Sequence, residues 1–184
     1  MNVAVFSSSP NEDGLTAACA AAAVEGVVQA GAQAEEFRLN DLGVGMCRAH
    51  GNGWGTCLTD HECQTRDDFQ ALHARVRGAD AYVIVTPVYW GDLSESAKAF
   101  MDRLRRCEAT REAESALLDK PVIAVAAAGG GGGGTITCLL NVERWIHHVR
   151  ARVFDLVPVT RWSSEHKLAA IREAAHAMTR ELMG

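Results

Sequence analysis

The sequence contains no apolar run near the length of about 20 residues that a membrane-spanning helix needs, so it predicts no such helix. Basic residues are in deficit: 18 Lys and Arg stand against 23 Asp and Glu, for a formal net charge of −5. A phosphate backbone would be repelled by that charge, and we expect no nucleic-acid partner. The alanine-rich segment at residues 16–24 follows no basic region and therefore does not predict a signal peptide.

Closely spaced cysteine pairs are absent as well. Six cysteines lie scattered along the chain, at positions 19, 47, 57, 63, 107 and 138. In a chain of this size we expect reduced thiols, which predicts a cytoplasmic protein. Cys47, Cys57 and Cys63 are separated by ten and six residues, whereas zinc and iron–sulfur sites favour compact pairs. We expect no metal there, and a Cys57–Cys63 disulfide is disfavoured in a reducing compartment.

Apolar segments that alternate with amphipathic ones predict one α/β domain over residues 1–184. The predicted strands cover residues 2–7, 35–39, 81–86, 121–127 and 153–159, and a helix follows each of them. Alternating units of this size require a parallel sheet with helices on both faces, that is, three layers. Pro158 predicts that the fifth strand lies at an edge. Residues 40–66 form an irregular insert with five glycines and three cysteines.

The end of the third predicted strand carries an unusual cluster of residue types. A proline, two aromatic residues and a glycine follow the buried run, in the segment Thr86-Pro87-Val88-Tyr89-Trp90-Gly91. In open α/β sheets, ligands bind at the carboxyl ends of the strands. The segment therefore predicts contact with a flat aromatic ligand, although Tyr89 and Trp90 could equally be core or interface aromatics. Asp92 and Glu95 stand three apart, which predicts the start of the next helix.

Two further loops have compositions that favour a ligand. The first strand leads through hydroxyl-bearing residues (Ser7 to Ser9, then Thr16) into a helix, and a helix amino end with free N–H groups attracts anions. An ordinary capping turn would explain the same residues. Six glycines at residues 129–134 permit close backbone approach to a flat ligand, or form a mobile loop. They do not predict a dinucleotide fingerprint, which belongs after the first strand.

Together these segments resemble the NADPH-dependent FMN reductase family of the flavodoxin-like superfamily, near the branch of the iron–sulfur flavoproteins. The resemblance rests on the first loop, on residues 86–91 and on Lys98-Ala99-Phe100-Met101-Asp102-Arg103. It implies a flavodoxin-like fold with strand order 2-1-3-4-5 and a bound FMN. The residues that it places around FMN are Ser8, Ser9, Asn11, Gly14 and Thr16 at the phosphate, Pro87, Val88, Tyr89, Trp90 and Gly91 along the ring, and Gly129, Gly130 and Gly131 at the other edge.

The resemblance also implies a function. We expect an oxidoreductase that takes electrons from NADPH or NADH and passes them to a small acceptor such as free flavin or a quinone. No acid–base residue is expected, because the flavin carries the chemistry. The alternatives are an FMN-binding electron carrier reduced by a partner protein and a family member without flavin; Glu12 and Asp13 favour the latter because they put negative charge near the expected phosphate. The family implies a homodimer or homotetramer.

Overall fold

In the computed structural model, which describes residues 1–184, five strands alternate with five helices. The strands are β1 (Asn2–Ser7), β2 (Gln33–Arg38), β3 (Ala81–Pro87), β4 (Pro121–Ala128) and β5 (Arg152–Thr160). The helices are α1 (Leu15–Gln29), α2 (Phe69–Arg77), α3 (Glu95–Glu108), α4 (Thr135–His148) and α5 (Ser164–Met183). Short 3-10 turns lie at Leu39–Asp41, His50–Gly53 and Glu112–Glu114. None of the helices is long and apolar enough to cross a bilayer.

The strands form one parallel sheet in the order β2-β1-β3-β4-β5. This confirms the predicted three-layer α/β fold and its strand order. Every residue of β3 and β4 is buried, because these strands lie inside the sheet and are covered on both faces. One face packs against α1 and α5 through residues such as Cys19 and Ile171. The other face packs against α2, α3 and α4 through residues such as Phe69, Phe100 and Ile146.

Two local predictions differ from the structure. The N-cap of α3 is Ser94, whose Oγ accepts a hydrogen bond from the N–H of Ala97 at 3.4 Å. The helix begins at Glu95, but the predicted capping role of Asp92 is wrong: Asp92 accepts instead from the N–H of Leu93 at 2.8 Å and from Asn141 Nδ2 at 3.1 Å. Strand β2 begins at Gln33, two residues before the predicted start. Pro158 lies on β5, which is an edge strand as predicted.

The insert at residues 40–66 is held to the domain by Arg103 of α3. This side chain is completely buried and its Nη1 lies 2.7 Å from Asp67 Oδ2. It also donates to the carbonyl oxygens of Gly45 at 3.1 Å and Thr65 at 2.9 Å. The guanidinium stacks 4.3 Å from the centre of the Phe69 ring. One buried cation thus fixes both ends of a segment that has little regular structure of its own.

Candidate functional site

The loops that follow β1, β3 and β4 meet around a cavity of about 260 Å³ at the carboxyl edge of the sheet. Its lining residues are Ser9, Asn11, Gly14, Leu15, Thr16, Pro87, Val88, Tyr89, Ala127, Gly129 and Gly130. None of these residues carries a charged side chain. Nine of them were singled out from the sequence, and the fold brings those nine together from three separate segments. Leu15 and Ala127 complete the lining; Ala127 could have been found from its position at the end of a predicted strand.

Four predicted residues do not line the cavity. Ser8 is buried below it, where its N–H and its hydroxyl both donate to the carbonyl oxygen of Val85, at 3.1 and 3.2 Å. Trp90 is fully exposed. Gly91 packs beside Gly134 and Thr137 instead. Gly131 lies farther along its loop, and a Cβ there would meet no atom within 4 Å.

The amino end of α1 faces the cavity with unpaired hydrogen-bond donors. Its N-cap residue, Gly14, has an extended backbone and supplies no side-chain cap. The backbone N–H groups of Leu15, Thr16 and Ala17 therefore make no hydrogen bond within the protein, as expected for an uncapped first turn. Thr16 is only 5% exposed, yet it lines the cavity. Free donors and the helix dipole together make this end of the cavity suited to an anion.

The two acidic residues of the first loop lie outside the cavity. Glu12 and Asp13 are exposed, and neither contributes to the lining. Glu12 Oε1 is directed to Arg38, whose Nη2 lies 3.6 Å away. The loop itself is tightened by Ser9, whose Oγ accepts from the N–H of Asn11 at 3.2 Å. The negative charges are thus placed in solvent, where their effect on a bound anion is screened.

A tight turn at residues 89–92 forms the aromatic wall of the cavity. Tyr89 and Asp92 exchange two backbone hydrogen bonds of 2.9 and 3.0 Å. The two central residues, Trp90 and Gly91, have φ angles of 53° and 79°, as in the type I′ turn. A positive φ is unfavourable for tryptophan and natural for glycine. Trp90 thus has a strained backbone and a fully exposed indole at the tip of the turn, while Tyr89 faces the cavity.

The six glycines at residues 129–134 do not all have the same role. Some are required by the fold, and others leave open space beside the cavity. Gly134 has φ of 83°, and a Cβ there would lie 2.7 Å from Gly91 Cα, so the two loops touch backbone to backbone. Gly132 has φ of 76°, and a Cβ there would lie 2.8 Å from the Trp162 ring. Gly129 and Gly130 have nothing within 4 Å of a hypothetical Cβ. The protein does not require glycine at those two positions, but a close-lying ligand would.

These features fit FMN. A flavin has a flat ring that requires backbone surfaces without side chains, and Gly129 and Gly130 provide them opposite Tyr89. Its phosphate requires hydrogen-bond donors, which the first turn of α1 supplies with the Thr16 hydroxyl. The absence of a lining cation is compatible with an anion, because free backbone N–H groups at a helix end bind phosphate without one.

A larger cavity of about 420 Å³ lies behind the same turn, between α3 and α4. Its lining is mainly helical and charged, and includes Lys98, Asp102, Arg105, Arg144 and His148. Two of its lining residues, Asp92 and Leu93, come from the loop after β3, and none comes from the loops after β1 and β4. Its size alone does not make it the ligand site, because the convergent donors lie in the smaller cavity.

The insert contains a third feature, which the sequence spacing did not reveal. Cys47, Cys57 and Cys63 line one small cavity of about 20 Å³, together with Arg103 and Arg106. All six cysteines of the chain are free thiols. No three His, Cys, Asp or Glu side chains are arranged to hold a metal ion. The intervals of ten and six residues hid this grouping because Arg103, a residue far along the chain, creates it.

Comparison with known proteins gives a consistent picture. Residues 1–157 match the model of the family described as NADPH-dependent FMN reductase. An iron–sulfur flavoprotein of Archaeoglobus fulgidus is 30% identical over 96 residues, which cover 52% of this chain and 42% of that protein. An iron–sulfur flavoprotein of Methanosarcina thermophila is 25% identical over 147 residues, 80% of this chain and 73% of that protein. The chain thus spans less than half the length of the first of these relatives.

Solved structures share the fold at low identity. A flavone reductase superposes with a TM-score of 0.75 at 15% identity, covering 100% of this chain and 63% of that one. The NAD(P)H:quinone oxidoreductase of Methanothermobacter marburgensis has a TM-score of 0.71 at 18% identity, covering 97% of this chain and 96% of that one. An iron–sulfur cluster, named in the relatives above, does not fit the residues present here: such a cluster is held by four thiolates, whereas three thiols line the cavity of the insert and no three His, Cys, Asp or Glu side chains are arranged to hold a metal ion.

Proposed function

Because the chain belongs to the NADPH-dependent FMN reductase family, we propose that it is an FMN-dependent oxidoreductase that takes electrons from NADPH or NADH and passes them to a small acceptor such as free flavin or a quinone. The observation that carries this proposal is the cavity that joins free helix N–H groups to a glycine-lined slot. FMN supplies the two-electron redox chemistry when it is bound. The protein supplies its position and its surroundings.

In this proposal the loops that line the cavity bind different parts of FMN. Ser9, Asn11 and Thr16, with the first-turn N–H groups, hold the phosphate. Pro87 and Val88 lie along the ring with Tyr89, and the open side of Gly129 and Gly130 admits it. No lining side chain is a strong acid or base, so the chain contributes no proton relay of its own in the cavity. Its contribution is to orient the ring and to exclude water from one face.

The first experiment is the absorbance spectrum of the purified protein between about 350 and 500 nm, before and after FMN is added. Bound flavin, seen as a shifted and structured band that stays with the protein on a desalting column, supports the proposal. A protein that neither retains nor takes up FMN overturns it, and would favour a family member without flavin.

The second experiment separates the enzyme from an electron carrier. FMN-loaded protein is mixed without oxygen with NADPH and, separately, with NADH in a stopped-flow instrument. Bleaching of the flavin band at a rate that rises with nicotinamide concentration is expected. A flavin that dithionite bleaches but neither nicotinamide does would show that a partner protein is the electron donor.

We also propose that the protein is a cytoplasmic homodimer or homotetramer. The fully exposed Trp90 beside the ligand cavity and the 82% exposed Trp54 support an assembly, because large aromatic side chains in water are costly and are enriched at interfaces. The six free thiols support a reducing compartment.

A further inference from the structure

The cavity in the insert has a composition that the flavin site does not explain. Three thiols and three arginines (Arg48, Arg103 and Arg106) line a space of about 20 Å³. A space of that size holds one water-sized molecule and no more. It is too small for a nucleotide or a flavin, and no three of its side chains are arranged to hold a metal ion. The lining instead suits a small molecule that reacts with thiols beside guanidinium groups.

Each of two thiols has its own arginine. Arg103 Nε lies 3.3 Å from Cys63 Sγ, within hydrogen-bond distance. Arg106 lines the same cavity as Cys57, and its interaction with that thiol raises the pKa of Arg106 above its ordinary range, while its Nη2 donates to the carbonyl oxygen of Gly53. The Nε–H of Arg106 is buried without an acceptor in hydrogen-bonding geometry. A sulfur that carries negative charge is a far better partner for these donors than a neutral thiol, which is a weak acceptor.

A hydrogen bond closes the segment of the insert between the same two thiols. The Thr56 hydroxyl donates to the carbonyl oxygen of Glu62 at 3.1 Å. This hydrogen bond joins the residues that directly precede Cys57 and Cys63, so that the segment between the cysteines forms a small closed loop. Both cysteines are partly exposed, and both line the same cavity. Neither feature depends on a ligand at the flavin site.

We propose that Cys57 and Cys63 form a peroxide-reactive dithiol that converts reversibly to a disulfide. The Cys63 thiolate attacks hydrogen peroxide: an S–O bond forms, the O–O bond breaks, and the leaving hydroxide takes up a proton to become water. Cys57 then attacks the Cys63 sulfur, so that the S–S bond forms and the S–O bond breaks with loss of a second water. Two thiols lose two electrons and the peroxide gains them. Arg103 and Arg106 stabilise the negative charge that develops on sulfur and oxygen.

The chain provides its own negative controls for this reaction. Burial raises the pKa of the thiols of Cys19, Cys107 and Cys138 to about 12. Thiols of that kind are almost wholly protonated at neutral pH and react slowly, since the thiolate is the nucleophile. Cys47 lines the same cavity as the reactive pair, but it accepts no hydrogen bond from Arg103 and lies outside the loop closed by Thr56 and Glu62, which makes it the matched control within the insert.

The test is peroxide treatment of the reduced protein, in the absence of flavin, followed by mass spectrometry of the whole chain and of its peptides. We expect the loss of two hydrogen atoms and a peptide linked through Cys57 and Cys63, while the three buried thiols stay reduced. Cys47→Ser should behave as the parent. Cys57→Ser should instead accumulate a sulfenic acid on Cys63 that dimedone traps. A link through Cys47, or equal oxidation of all six thiols, would refute the assignment.

The role of Arg106 is tested by measuring the rate at which peroxide removes the two thiols. Arg106→Gln should slow the loss of the two thiols about tenfold, because it removes a charge-assisted donor. Arg105→Gln, one position earlier on the same helix, should react as the parent does. Equal rates in the two variants, with circular dichroism showing both folded, would show that Arg106 has no part in the reaction. Stoichiometric metal that blocks the thiols in freshly purified protein would also overturn the proposal.

Discussion

Thr16 is the side chain most directly placed to report where an anion binds. It lies in the first turn of α1, lines the cavity and makes no hydrogen bond within the protein. Thr16→Ala should weaken FMN binding by about 1 kcal/mol or more, through loss of a charge-assisted hydrogen bond. Titration by flavin fluorescence measures this. Thr59→Ala, an exposed threonine of the insert, should leave the affinity unchanged.

Equal FMN affinity in the Thr16 variant and the parent would place the phosphate elsewhere in the cavity. The position was predictable because a hydroxyl residue directly after a strand-and-turn pattern marks a helix start. That Ser8 lies beneath the cavity was not predictable, because it depends on the register of β1 against β3, where Ser7 pairs with Val85. The sequence alone predicts that this loop binds a ligand, but the pairing of β1 with β3 determines which of its serines faces the cavity.

Gly130 and Gly134 differ in what they do for the protein, although the sequence shows six identical glycines. At Gly130 an added methyl group meets open space, so Gly130→Ala should keep or raise the free energy of unfolding, by up to about 1 kcal/mol. The same methyl group should weaken FMN binding, because it occupies the slot that the ring needs. Thermal unfolding and flavin titration on one preparation check both halves. Unchanged FMN affinity would show that the ring does not approach this residue.

Gly134→Ala should lower the free energy of unfolding. Its positive φ and its contact with the Gly91 backbone should cost about 1–2 kcal/mol or more of unfolding free energy. Gly133→Ala is the matched control, since a Cβ at Gly133 meets no atom within 4 Å. Denaturant midpoints compare the two. If both variants were equally stable, the contact between the two loops would not contribute to the native state.

Among the secondary-structure elements, α2 and α3 are joined by a buried hydrogen bond between His73 and Glu108. His73 Nε2 lies 2.5 Å from Glu108 Oε1, and Glu108 has no exposed surface. Burial alone would raise the pKa of Glu108, but hydrogen bonds from His73, the Ala116 N–H and Ser115 outweigh it and lower the pKa below its ordinary value of 4.5. A lowered pKa in the folded state means that the unfolded chain binds more protons in that range.

Acid should therefore weaken the protein through this group. Its contribution to the free energy of unfolding is complete above pH 4.5 and is lost as the pH falls below that value. Urea denaturation at a series of pH values should show this decline in the parent. Glu108→Gln should be less stable near neutral pH and should show a shallower decline in acid. Parallel curves for the two proteins would assign the acid sensitivity to other carboxylates.

The secondary-structure elements differ in how well the sequence predicted them. The bounds of β1 were predicted to the residue, because a buried apolar run is a local signal. The insert was predicted only as irregular. Ala49, Asn52 and His61 all have positive φ there, which is uncommon for residues other than glycine. The segment is held to the domain by Arg103, which lies far along the chain, and no local pattern encodes that contact.

At the scale of the whole molecule, the exposed Trp90 predicts concentration-dependent behaviour. If a second copy covers it and completes the site, dilution should lower the FMN affinity together with the oligomer mass. Light scattering and flavin titration over one concentration series test this. Trp90→Ser should shift both midpoints to higher protein concentration. A monomer that binds FMN equally well at every concentration would refute the shared site.

The backbone contact between Gly91 and Gly134 has a mechanical consequence. Gly91 and Gly134 meet backbone to backbone, with the Val88 and Thr137 side chains beside them, so a displacement of one loop is transmitted directly to the other. A molecule that displaces the Tyr89 turn would therefore change the affinity of the glycine run for its own ligand. Thermodynamic reciprocity requires the reverse effect to be equal in size. Binding of the electron donor at the Tyr89 turn and binding of flavin at the glycine run would then each change the affinity of the protein for the other.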